Sequence, residues 1–134
     1  SLKGEAVLAV YEKYGVYVHS QHSFTFEGES GMIEMQKIMA KLREEHPTEI
    51  NGLKVLQFDD YQTSISKNLT TGEKTEITLP KSNVLAFSLE EGAKVVIRPS
   101  GTEPLVRVMI EGKDKEQIQT EAEHLANLIQ DIMF

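Results

Sequence analysis

Between Val16 and Glu27 apolar and polar residues alternate. Val16, Val18, Phe24 and Phe26 share one face, with His22 among them, and Tyr17, His19, Gln21, Thr25 and Glu27 share the other. A period of two predicts a strand with one face on a core. Gly28-Glu29-Ser30-Gly31 breaks that period. Met35, Ile38, Met39 and Leu42 then recur at helical spacing, which predicts an amphipathic helix to about Glu45. Ser30 is placed to N-cap it, and Pro47 stops it. Further on, Leu53–Phe58 and Tyr61–Ser66 read as short strands after an Asn51-Gly52 turn. Thr71-Gly72 is the next turn signal, so 61–66 and 74–79 are expected to pair as a hairpin.

Val84–Leu89 and Lys94–Arg98 are strands about a tight Glu91-Gly92 turn. Leu105–Glu111 is the last strand, with Val106, Val108 and Ile110 on one face and Leu105, Arg107 and Met109 on the other. Asp114 opens the final helix with Gln117 in capping-box position. Its apolar face is Ile118, Ala122, Leu125, Ile129 and Ile132, and the acidic run Glu116–Glu123 reads as its wet face. At the other end, Leu2, Ala6 and Ala9/Val10 fall near one side of a short helix over 2–14, capped by Gly15. Its apolar face is thin for independent packing. Two long helices beside four or more antiparallel strands predict an α+β, two-layer domain. The stretch 59–83, rich in Thr, Ser, Lys and Asn, is the least ordered by composition.

Composition narrows the function classes. The chain has 134 residues, enough for one domain with its own core. It has no cysteine, which removes disulfides, thiolate nucleophiles and Cys-based zinc sites and fits a cytoplasmic location. No apolar run is long enough to span a bilayer, and no membrane partner is expected. Ser1–Glu5 has neither a signal-peptide layout nor an initiator Met, so the expectation is a piece of a longer protein. A net charge of −7 argues against nucleic acid, whose binding depends on a basic field and counterion release. Any anion must be held locally, by a few placed donors.

One segment supplies such donors. In Arg98-Pro99-Ser100-Gly101-Thr102-Glu103-Pro104, Pro99 biases Arg98 toward extended geometry and Gly101 lets a ligand approach the main chain. Ser100 and Thr102 bring hydroxyls, the turn brings free amides that converge as an anion nest, and Arg98 brings a planar cation suited to phosphate. The bland alternative is a rigid turn whose hydroxyls cap their own backbone. Arg107 is either a second phosphate donor, reaching the ligand from behind the loop, or a plain surface or salt-bridged residue, with Glu103 a partner for the bridge.

That segment resembles the C-terminal phosphate loop of the α-D-phosphohexomutases: phosphoglucomutase, phosphomannomutase and phosphoglucosamine mutase. Tyr11-Glu12-Lys13-Tyr14-Gly15 is similar to the helix end closing that family's third domain, and Leu79-Pro80-Lys81-Ser82-Asn83-Val84-Leu85 is similar to the bacterial phosphoglucomutase/phosphomannomutase branch. Pro104-Leu105-Val106-Arg107-Val108-Met109 resembles phosphoglucosamine mutase equally well. The resemblance implies that residues 1–15 end the third domain and residues 16–134 form the fourth, a fold like one repeat of the TATA-binding protein. It implies an enzyme that interconverts hexose 1-phosphate and hexose 6-phosphate through a phosphoserine and a bisphosphate, with magnesium bound outside this segment. Arg98, Ser100, Gly101, Thr102 and Arg107 would then hold the phosphate of the hexose phosphate, with the other domains of the same chain as partners. The sequence lacks the family's serine loop, metal loop and sugar loop, so it is expected to hold no catalytic residue and to be inactive alone. The other readings are a non-catalytic anion-binding module and, on fold likeness alone, a nucleic-acid binder.

The remaining candidates have plain readings. His22 is expected to be a hydrogen-bonded core residue, and His19, on the opposite face, cannot join it at a metal. His46 and His124 are expected in solvent. Asp59-Asp60 is expected to shape a turn rather than hold magnesium. Met32, Met35 and Met39 are expected in the core or at its margin.

Overall fold

The computed structural model describes residues 2–13, 17–26, 28–100 and 102–133. Their order is β1 (Leu2–Lys13), β2 (Tyr17–Phe26), α1 (Gly31–Glu44), β3 (Glu49–Ile50), β4 (Leu53–Asp60), β5 (Ile65–Asn68), β6 (Lys74–Glu76), β7 (Leu85–Leu89), β8 (Lys94–Pro99), β9 (Leu105–Gly112) and α2 (Lys115–Met133). The strands pair antiparallel in the order β1-β2-β9-β8-β7-β4-β5-β6, and β3 pairs with β4. This is the expected α+β domain of two layers.

Both helices lie on one face of the sheet. Met35, Ile38, Met39 and Leu42 of α1 and Ile118, Ala122, Leu125 and Ile129 of α2 are buried. They meet Phe24, Phe26, Val106, Val108, Ile110, Val95, Ile97, Leu85 and Phe87 from the central strands. Asn51 (φ 52°) and Gly52 (φ 77°) make the β3–β4 turn, as a two-residue hairpin with both φ positive demands. At the start of α2, Asp114 Oδ1 accepts the Gln117 amide at 2.8 Å and Gln117 Oε1 accepts the Lys113 amide at 2.6 Å. Ser30 sits at the N-cap of α1 without bonding a helix amide; its hydroxyl donates to Glu34 Oε1 at 3.3 Å instead.

Three expectations change. Residues 2–13 form a strand, not a helix: β1 runs antiparallel to β2 from Leu2 opposite Phe26 to Lys13 opposite Tyr17, with an irregularity between Glu5 and Ala9. The amides and carbonyls of β2's outer edge need partners, and a β1 containing Val7, Val10 and Tyr11 suits that ladder better than a helix with a thin apolar stripe. Residues 61–64 form a turn, so the second hairpin begins at Ile65, opposite Glu76. The cause is Asp60, whose Oδ1 accepts the Gln62 amide at 3.0 Å and the Thr63 amide at 3.4 Å. Glu121 is buried, not on the wet face of α2. It lies three and four residues from Ile118 and Leu125 and so shares their stripe.

Smaller departures follow the same logic. Met32 is exposed on the rim of α1. His46 is half-buried and stacks on Phe58, ring centroids 4.6 Å apart, because Pro47 turns the chain back over β4. The polar stretch 59–83 carries β5 and β6 as a largely exposed hairpin beyond β4. Among the described residues no helix is long and apolar enough to cross a membrane.

Asp60 also accepts Arg43 Nε at 3.0 Å, and both side chains are largely buried. This pair ties α1 to the far half of the sheet. Arg43→Ala leaves a buried carboxylate without its cation and is expected to destabilise the chain by about 2 kcal/mol, the usual cost of losing a hydrogen bond to a charged group. Urea unfolding of the variant measures this, and an unchanged midpoint excludes it.

Candidate functional site

The helices leave the opposite face of the sheet open. Successive side chains of a strand alternate between faces, so the core parity of Phe24, Val106 and Ile97 sends Ser23, Arg107 and Arg98 the other way. Strand register then sets these three in one cross-strand rung. Arg98 of β8 is opposite Arg107 of β9, and Arg107 is opposite Ser23 of β2. Both arginines are exposed, and among the described residues neither has an ion-pair partner. The alternative of an Arg107–Glu103 bridge is therefore not what the geometry holds. Two like charges directly opposite on neighbouring strands repel and destabilise the pair. An anion between them removes that cost.

The rung lines a groove of about 390 Å³, whose wall also includes Gln21, Val96 and Met109. Gln21, Val96 and Met109 make the next rung, farther from the loop: Gln21 is opposite Met109, which is opposite Val96. None of these three, nor Ser23, stood out in the sequence. Their signal was parity, since each falls on the same side of its strand as Arg98 or Arg107.

At the other end of the arginine rung the chain enters the loop. Pro99 opposite Val106 is the last strand pair, and the Ser100 amide donates to the Leu105 carbonyl at 2.9 Å. Ser100 Oγ accepts long hydrogen bonds from the Thr102 amide, 3.4 Å, and the Glu103 amide, 3.3 Å. The hydroxyl thus caps its own backbone, as the bland reading expects. The same two bonds show that the Thr102 and Glu103 amides converge on one point, which is what an anion oxygen requires. Glu103 itself is exposed. Gly101 lies outside the described residues.

The loop exit is fixed from outside. The Phe26 amide donates to the Pro104 carbonyl at 2.8 Å. A Cβ on Gly31 would stand 2.6 Å from the Phe26 carbonyl oxygen and 3.0 Å from Pro104 Cβ, so the first residue of α1 must be small for the loop to seat. Helix α1 therefore begins against the loop.

His22 borders the groove from the core side of β2. His22 is buried and joined to Ser20 by a 2.8 Å hydrogen bond, and burial lowers its pKa below the usual value. It is the core histidine expected. Among the described residues no three His, Asp or Glu side chains are grouped to hold a metal ion. The described residues offer magnesium no clustered donor set.

The chain is an α+β domain whose open sheet face carries paired arginines beside a turn of convergent amides. Residues 34–128 match the family model of the phosphoglucomutase/phosphomannomutase C-terminal domain, and the chain belongs to that family. It is 33% identical over 129 residues to a phosphoglucomutase of Staphylococcus saprophyticus, covering 93% of this chain and 23% of that protein. It is 42% identical over 88 residues to one of Staphylococcus epidermidis, covering 66% and 16%. A phosphoglucomutase of Staphylococcus aureus is 37% identical over 106 residues, covering 79% and 19%. The chain thus spans less than a quarter of the length of these relatives.

Proposed function

We infer that this domain clamps the phosphate of a hexose phosphate within a phosphohexomutase that interconverts hexose 1-phosphate and hexose 6-phosphate. The reading is carried by one observation: Arg98 and Arg107 face each other on the open side of adjacent strands, with no ion-pair partner among the described residues. Their guanidiniums offer bidentate donors to phosphate oxygens. Ser100, Thr102 and the loop amides, with Gly101 admitting close approach, complete the donor set. The names of the relatives favour glucose phosphates.

The clamp acts on the phosphate that is not transferred. Its binding energy holds the sugar so that the reacting group elsewhere in the longer enzyme is correctly placed. Phosphoserine, magnesium and further sugar contacts belong, in this proposal, to other domains of that enzyme, which works in the cytoplasm. In this proposal Ser100 binds and does not attack: its oxygen accepts two backbone amides, and among the described residues no ring nitrogen or carboxylate bonds its hydroxyl.

Two outcomes are expected for the 134-residue chain. It shows no mutase turnover with glucose 1-phosphate and the bisphosphate activator. It binds inorganic phosphate at around millimolar, about −4 kcal/mol, with the largest amide shifts in residues 98–107. Largest shifts elsewhere would overturn the site.

A further inference from the structure

The groove is longer than a phosphate needs. The arginine rung uses one end of it, and the rung of Gln21, Met109 and Val96 lies two residues along each strand, about 7 Å away. We propose that this second rung is a platform for the sugar ring, so that the domain orients the ring as well as holding its phosphate. The proposal rests on the phosphate reading above.

The chemistry of the rung carries it. Val96 and Met109 are half-buried and set two apolar side chains next to each other on the open face. A pyranose has apolar C–H faces and a polar rim, and its face packs on such a surface. Gln21 is exposed at the end of the rung, and among the described residues its amide has no hydrogen-bond partner. An amide offers both donors and an acceptor, which suits hydroxyl groups that are themselves both. A pyranose joined to its phosphate through one oxygen has its ring within one strand repeat of the phosphorus. With phosphate between Arg98 and Arg107, the ring falls over Val96 and Met109 and its rim meets Gln21. The next rung, His19, Glu111 and Lys94, is polar and closes the apolar stretch.

The test is NMR titration of the 134-residue chain with inorganic phosphate, glucose 1-phosphate and glucose in turn. Phosphate should shift Arg98, Ser100, Thr102 and Arg107. Glucose 1-phosphate should shift those and, in addition, the Gln21 side-chain amide, the Val96 methyls and the Met109 methyl. Glucose alone should shift none at the same concentration. Gln21→Ala should weaken glucose 1-phosphate by about three- to ten-fold, one hydrogen bond's worth, and leave inorganic phosphate unchanged. If both phosphates perturb the same residues and Gln21→Ala affects them alike, the ring platform is wrong and the clamp stands. If neither ligand touches Arg98 or Arg107, the clamp is wrong and the platform falls with it.

Discussion

Arg98→Ala is expected to abolish the thermal stabilisation that phosphate gives this chain without lowering its stability in phosphate-free buffer. For a dissociation constant near 1 mM, 20 mM phosphate stabilises the folded state by RT ln 21, about 1.8 kcal/mol. In a domain of this size that raises the melting temperature by roughly 6 °C. Removing one guanidinium costs a charge-assisted contact, about 1.5–3 kcal/mol, which takes the affinity out of the accessible range. The phosphate-free melt moves the other way or not at all. Arg98 and Arg107 are cross-strand neighbours of like charge, so deleting either relieves a repulsion of a few tenths of a kcal/mol at low salt. Arg107→Ala should repeat the pattern. A purely structural arginine would show a lower phosphate-free melt and an unaltered response to phosphate. Within a full-length phosphohexomutase the same substitution is expected to lower kcat/KM by about ten- to hundred-fold, the same contact expressed as rate.

The loop was legible because its chemistry is local. An arginine, two prolines, a glycine and two hydroxyls within seven residues dictate a rigid, donor-rich turn whatever the rest of the chain does. Strands β2 and β9 and helices α1 and α2 were legible for a related reason, since period and caps are written in neighbouring residues. The arginine pair was only half legible. Parity placed Arg107 on the face of Leu105 and Met109, but its position opposite Arg98 depends on the β8–β9 register. The groove needed three strands in register and could not be read from any one of them.

The misreadings share a cause. Strand β1 is held by partner atoms on β2, which a window of twelve residues does not contain. The turn at 61–64 is made by the side chain of Asp60, which overrides the strand propensity of Tyr61 and Thr63. Glu121 was assigned to solvent because it stands in an acidic run. Helical geometry, not charge, decided its direction, and Ile118 and Leu125 carried it inward.

That inward carboxylate should make the domain less stable as pH rises. Glu121 is fully buried, and neither oxygen has a hydrogen-bond partner among the described residues. Burial first, and the charge of Glu91 second, push its pKa from 4.5 up to about 7. Lys113, which pairs with Glu91 at 3.2 Å, moderates that charge without reaching Glu121 itself. Between pH 4.5 and 7 the folded state therefore holds a proton that the unfolded state has lost. Stability is greatest below 4.5 on this account, falls through the window, and is level again above about 7. A shift of that size corresponds to as much as about 3 kcal/mol. His22 works in the opposite sense, because burial lowers its pKa and its charging costs stability as pH falls below 6.5. Comparing variants at each pH cancels the histidine. Glu121→Gln should match the parent near pH 5 and exceed it by up to about 3 kcal/mol at pH 8, measured by urea unfolding. Glu91→Gln removes the Glu91 charge and lowers the pKa of Glu121, so the loss ends at a lower pH than in the parent and is smaller. The decisive reading is therefore the size of the loss between pH 5 and 8, which should rank parent above Glu91→Gln above Glu121→Gln. Equal losses in all three would place the titrating group elsewhere.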